Sequence, residues 1–62
     1  MNGKMIYKFR QRMGWSQARL AHEMCVLPNT VARWERDELK ASAMAARLFE
    51  LLVEHYEPRR AK

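Results

Sequence analysis

The sequence predicts an all-α domain of four or five short helices. Three observations predict it. Ala, Leu, Met, Arg, Glu and Lys dominate the chain, and these residues favour helix. No run alternates β-branched with polar residues as a half-buried strand does. Apolar residues recur instead at three- and four-residue steps, and only two glycines and two prolines interrupt them.

The first helix is predicted from Gly3 or Lys4 to Met13. Met5 or Ile6, Phe9 and Met13 form its buried stripe, and Gly14 stops it by accepting a left-handed conformation. Ser16 caps a second helix that turns Leu20, Ala21 and Met24 inward; Arg19 stands at its third position, so there is no capping box. Pro28 opens a third helix to Glu35, because a missing N–H costs nothing in a first turn. That helix buries Val31 and Trp34 and turns Asn29, Thr30 and Arg33 outward. Residues 36–40 read as a polar connection. Ser42 then caps a last helix from Ala43 to about Glu57, which Pro58 ends.

The last helix is apolar on too broad an arc. Met44, Leu48, Leu51 and Leu52 make one set; Ala45, Phe49, Val53 and Tyr56 make another. Together they exceed the roughly 100° stripe that one core-facing helix needs. In so short a chain the surplus predicts a second chain, and Phe49, Leu52, Val53 and Tyr56 are the candidate dimer surface. Met5, Met13, Met24 and Met44 read as core filling, Trp34 as core, and Trp15 as partly exposed.

Sixty-two residues make a single domain, expected over 1–57, with a basic tail at 58–62. A chain this small needs a staple, very good helix packing or a partner. Cys25 is its one cysteine, so an internal disulfide is excluded. No stretch approaches the roughly 18 apolar residues of a membrane span. Lys4, Lys8, Arg10 and Arg12 interrupt every apolar run near the N-terminus, so no secretory signal is read there. A reducing cytoplasm is the expected compartment.

Charge is unevenly spread. From Met1 to Arg36, seven Lys and Arg face two glutamates, a net of +5, whereas the remainder carries five of each sign. A basic half points to a polyanion as partner. Catalysis is not expected, since no nucleophile–base pair, phosphate loop or carboxylate dyad can be assembled. No metal or cofactor site is expected either: His22 and Glu23 are followed by Val26 where a zinc helix would need histidine, and Cys25 has no second thiol. His55 reads as a helix-surface residue.

Two short helices separated by three or four residues have the spacing of a helix-turn-helix. The first of such a pair crosses the phosphates and holds the second in the major groove. The stretch Ser16-Gln17-Ala18-Arg19-Leu20-Ala21, followed by Pro28-Asn29-Thr30-Val31-Ala32-Arg33-Trp34-Glu35, resembles the Xre/Cro group of phage, prophage and antitoxin repressors. Arg10 and Gly14 stand at matching positions upstream, and the resemblance spans roughly residues 6–52.

The resemblance implies a lambda-repressor-like fold and a sequence-specific repressor of its own phage, anti-CRISPR or toxin–antitoxin operon. It implies a homodimer on a palindromic operator of double-stranded DNA, with recognition helices roughly 34 Å apart. Asn29, Thr30 and Arg33 would face the groove, and Gln17 would hold a phosphate. Arg10 and Glu35 would form a structural ion pair. Chemistry alone suits Asn29 to adenine and Arg33 to guanine. Arg19, Arg36 and Lys40 are further candidates for phosphate contact. An alternative is a protein-interaction module, antitoxin or antirepressor, that holds a protein partner through its last helix. A third reading, binding to nucleic acid without sequence preference, is disfavoured by the outward Asn29, Thr30 and Arg33.

Four positions depart from the family pattern. Cys25 and Asp37 replace glycines, Leu27 replaces a capping Ser or Thr, and Ala41 stands near a common proline. A left-handed Cys25 would cost about 1 kcal/mol. The lost cap at Leu27 would cost about the same.

Overall fold

The computed structural model describes residues 1–57, and four helices carry them: α1 (Gly3–Met13), α2 (Gln17–Met24), α3 (Pro28–Glu35) and α4 (Ala43–Tyr56). The basic tail expected at 58–62, and the stop at Pro58, lie outside the described residues. Three of the helices start on a side-chain cap. Asn2 accepts from the amide of Met5, Ser16 from Arg19 and Ser42 from Ala45, each relieving one of the orphan donors of a helix start. At α3, Leu27 makes no such bond, and Pro28 sets the first turn.

The first three helices close alike, on a left-handed residue. Gly14 ends α1 at φ 70°, Cys25 ends α2 at φ 60°, and Asp37 follows α3 at φ 58°. After each, the chain folds back so that two amides meet carbonyls of the last turn. The amide of Val26 bonds the carbonyl of Ala21 at 3.0 Å, and that of Glu38 bonds Arg33 at 2.9 Å. The same turn is thus built once with glycine and twice without it.

Ile6 and Phe9 of α1, Leu20, Ala21 and Met24 of α2, Val31 and Trp34 of α3, and Phe49 and Leu52 of α4 form the core. α2 packs on α3, α1 on α3, and α4 on α2. Each large side chain buried here stabilises the fold by about 1.5–3 kcal/mol. Edge-to-face rings at the core link α4 to the rest: Phe9 meets Phe49 at 5.6 Å and Trp15 at 5.5 Å, and Trp15 meets Tyr56 at 4.9 Å.

These rings correct the dimer surface expected at Phe49, Leu52, Val53 and Tyr56. Phe49 and Leu52 are buried within the single chain, and Val53 and Tyr56 are half-buried against its core. Phe9 and Trp15 offer ring partners on that side only, so this set turns inward. The outward set is Met44, Leu48 and Leu51, which are 82%, 37% and 46% exposed. Met44 and Met5 therefore do not fill the core; on α1, Ile6 takes the inward place next to the exposed Met5. Among the described residues, no helix is long and apolar enough to cross a membrane.

Candidate nucleic-acid interface

α3 is gripped at its C-terminal end. Val31 and Trp34, three residues apart, fix its inner face to the core. Glu35, its last residue, accepts from Arg10 through two bonds, Nε to Oε2 at 2.7 Å and Nη2 to Oε1 at 3.2 Å. Gln17 of α2 donates its side-chain amide to the same carboxylate at 3.1 Å, and Arg10 Nη1 donates to the carbonyl of Trp15 at 3.0 Å. One carboxylate thus joins α1, α2 and α3. The Arg10 and Glu35 side chains are only 13% and 9% exposed. Burial pushes the Glu35 carboxyl upward, but the bonds from Arg10 and Gln17 and the charge of Arg10 together outweigh it and hold the carboxyl below its usual range. The bond to Glu35 raises the Arg10 guanidinium in turn.

A second grip was not legible in the sequence. The amide of Gly3, in the first turn of α1, donates to Oδ1 of Asp37 at 3.1 Å. Gly3 itself is buried against the carbonyls that end α3; a Cβ there would lie 2.7 Å from the carbonyl oxygen of Trp34 and also clash with that of Glu35. The start of α1 is therefore seated on the end of α3. Only the glycine at position 3 hinted at this, and its partner lies 34 residues away.

The outer face of α3 is left open by this anchoring. Asn29 and Arg33, one turn apart, are exposed, Thr30 between them is half-buried, and Arg36 at the helix end is exposed. A hollow of about 310 Å³, floored by Ile6 and Trp34 and rimmed by Asp37 and Lys40, lies beside α3, but Asn29, Thr30 and Arg33 do not line it. The open face of α3 thus presents exposed Asn29 and Arg33 outside that hollow, an arrangement that suits a helix entering a groove of a macromolecule.

The basic candidates for phosphate contact differ in their partners. Arg19 lies over the ring of Trp15 at 4.5 Å and bonds Glu23 at 3.0 Å. Tyr56 donates its hydroxyl to the same Glu23 at 3.2 Å, tying α4 to α2. Arg36 makes two bonds to Glu38, at 2.8 and 3.1 Å, and these hold the Glu38 carboxyl below its usual range. Lys40 is exposed. Farther off, Arg12 makes two bonds to Glu57, at 2.6 and 2.8 Å, fastening the end of α4 to α1.

A family model described as helix-turn-helix matches residues 6–52. No curated protein and no solved structure matches the chain. The matched stretch runs from the inward residues of α1, across α2 and α3, to the core residue Leu52 of α4, and it carries both halves of the signature read in the sequence. The chain belongs to the Xre/Cro-type helix-turn-helix family of DNA-binding transcription regulators.

Proposed function

We propose that this chain is a sequence-reading repressor that binds a palindromic operator as a homodimer and controls its own operon. One observation carries the reading. Asn29 and Arg33 stand open on one face of α3, while the other face is fixed by Val31, Trp34 and the Glu35–Arg10 pair. Rigid support of this kind is what base readout needs, since a misplaced donor loses its bidentate geometry. Arg33 suits the O6 and N7 of guanine, Asn29 the N6 and N7 of adenine, and Thr30 contacts the adjoining base edge.

Gln17, Arg19, Arg36 and Lys40 are the proposed phosphate contacts. Gln17 gives one amide hydrogen to Glu35 and keeps a second, along with its own backbone N–H at the start of α2, for a phosphate oxygen. The proposed interface between copies is the outward stripe of α4, Met44, Leu48 and Leu51, rather than the inward face. Its spacing of four and then three residues suits helix-on-helix packing.

The test is a gel-shift of wild type and Arg33→Ala on DNA immediately upstream of the protein's own gene, with random duplex alongside at two salt concentrations. Tight binding that Arg33→Ala loses supports the reading. Equal binding to both duplexes by both proteins overturns it. The exposed stripe of α4 also favours a second reading, in which it holds a partner protein. That reading requires Arg33→Ala to be harmless and Leu48→Glu to abolish partner binding.

A further inference from the structure

Leu27 is an apolar residue with no visible service to the fold. It is 72% exposed, outside the core, and forms no cap bond at the start of α3. Ser, Thr, Asp and Asn are preferred at that position because their oxygens satisfy an amide of the first turn. Leucine therefore gives up a cap and leaves apolar surface in water. The backbone holds it firmly all the same. Leu27 sits at φ −80°, ψ 149°, the extended region imposed on a residue that precedes proline, and its carbonyl accepts from Thr30 at 2.9 Å. It is a fixed apolar knob at the tip of α3, two residues ahead of Asn29.

The major groove displays donors and acceptors on every base pair, but only one apolar group, the 5-methyl of thymine. We propose that Leu27 is a base-reading residue whose side chain meets the 5-methyl group of a thymine next to the base pair read by Asn29. This rests on α3 being the reading helix, and it adds a fourth specificity position to Asn29, Thr30 and Arg33. The cap given up at this position is offset in the complex by apolar contact.

The test starts from duplexes that the wild-type protein selects from a random-sequence pool. These are resynthesised with each thymine in turn replaced by 2′-deoxyuridine, which lacks only the methyl group. Binding of wild type, Leu27→Ala and Leu27→Ser is followed by fluorescence anisotropy. At one thymine, the replacement weakens wild-type binding roughly fourfold, the value of one buried methyl group. Both variants bind the two duplexes equally. Leu27→Ser also raises the thermal midpoint by restoring a cap, so loss of discrimination cannot be ascribed to a weakened fold. The proposal is overturned if no replacement weakens wild type, or if one weakens wild type and variants alike. A pool that yields no preferred sequence overturns this proposal together with the reading of α3 beneath it. A preferred sequence that is insensitive to every deoxyuridine overturns this proposal alone.

Discussion

The amide of Gly3 donates to the carboxylate of Asp37 at 3.1 Å, so the first turn of α1 is capped by the residue that ends the turn after α3. Asn2 supplies the other side-chain cap of that turn. Three substitutions separate the parts of this joint. Gly3→Ala drives a Cβ into backbone carbonyls that have no rotamer to yield, and is expected to cost about 1–3 kcal/mol. For a domain this small, that lowers the thermal midpoint by roughly 4–8 °C per kcal/mol. Asp37→Asn keeps both the acceptor and the tolerance of φ 58°, and is expected to cost only about 0.3–1 kcal/mol through lost charge at a helix start. Asp37→Ala loses the acceptor and strains the turn, so it falls below Asn. A reversed order of Asn and Ala in thermal melts would remove the capping role.

The Arg10–Glu35 pair makes a pH-dependent prediction. The folded state holds Glu35 below its ordinary carboxylate value of 4.5, so it binds fewer protons than the unfolded chain does. The stability this provides is fully present above about pH 4.5 and is lost as pH falls through the lower folded value. Glu35→Gln should be less stable than wild type at pH 7, and its stability should vary less between pH 5 and 3. Arg10→Met is the harsher change at neutral pH, about 3 kcal/mol, because it strands a nearly buried carboxylate with Gln17 alone. Combining Arg10→Met with Glu35→Met should recover most of that loss, since neither charge is then left buried. Urea titrations across pH measure all three, and acid limbs that coincide for wild type and Glu35→Gln would contradict the assignment.

Cys25 stands in left-handed conformation at φ 60°, exposed, in the turn between α2 and α3. A side chain there costs about 1–2 kcal/mol, while glycine loses roughly 0.4–1 kcal/mol through the greater freedom of the unfolded chain. Cys25→Gly should therefore stabilise the domain by about 0.5–1 kcal/mol with the fold unchanged. Cys25→Val, β-branched at positive φ, should destabilise it. Chemical denaturation decides between these signs.

The helices were legible because their signals are local. The Ser16 and Ser42 caps, Pro28 and the closure at Gly14 act within a few residues, and the inward period of Val31 and Trp34 already turns Asn29 and Arg33 outward. Arg10–Glu35 could be named only through the family resemblance, because nothing local joins residues 25 apart. The Gly3–Asp37 and Tyr56–Glu23 bonds had no signal of that kind. The face of α4 was misread for a different reason. Both of its sides are apolar, so periodicity offers two solutions; the choice belongs to Phe9 and Trp15, whose rings receive Phe49 and Tyr56.

That choice makes the outward stripe testable. Leu48→Glu and Leu51→Glu place charge on exposed positions, so the monomer fold should survive. If copies pair through this face, sedimentation should show the variants as monomers at concentrations where wild type is a dimer. Operator affinity should fall with the loss of the second half-site. Phe49→Glu, by contrast, should unfold the chain, because that side chain is 3% exposed. Monomeric wild type at all concentrations would leave the stripe to a different partner.

Arg36 and Lys40 give a last contrast, because only one of them brings a carboxylate with it. Arg36 is bound through both its Nε and Nη2 to Glu38, and the pair is exposed. To reach a phosphate, Arg36 must share or leave Glu38, whose own charge repels the DNA backbone. Glu38→Gln removes that repulsion and frees the guanidinium, so it should tighten binding about two- to fivefold at low salt. Lys40→Ala should weaken binding across all duplexes and lower the salt slope by about one. Arg36→Ala made in the Glu38→Gln background should cost more affinity than the same change made in wild type, since the arginine is then fully committed to phosphate. No loss in either background, measured by anisotropy over a salt series, would mean that Arg36 meets no phosphate and serves only the turn after α3.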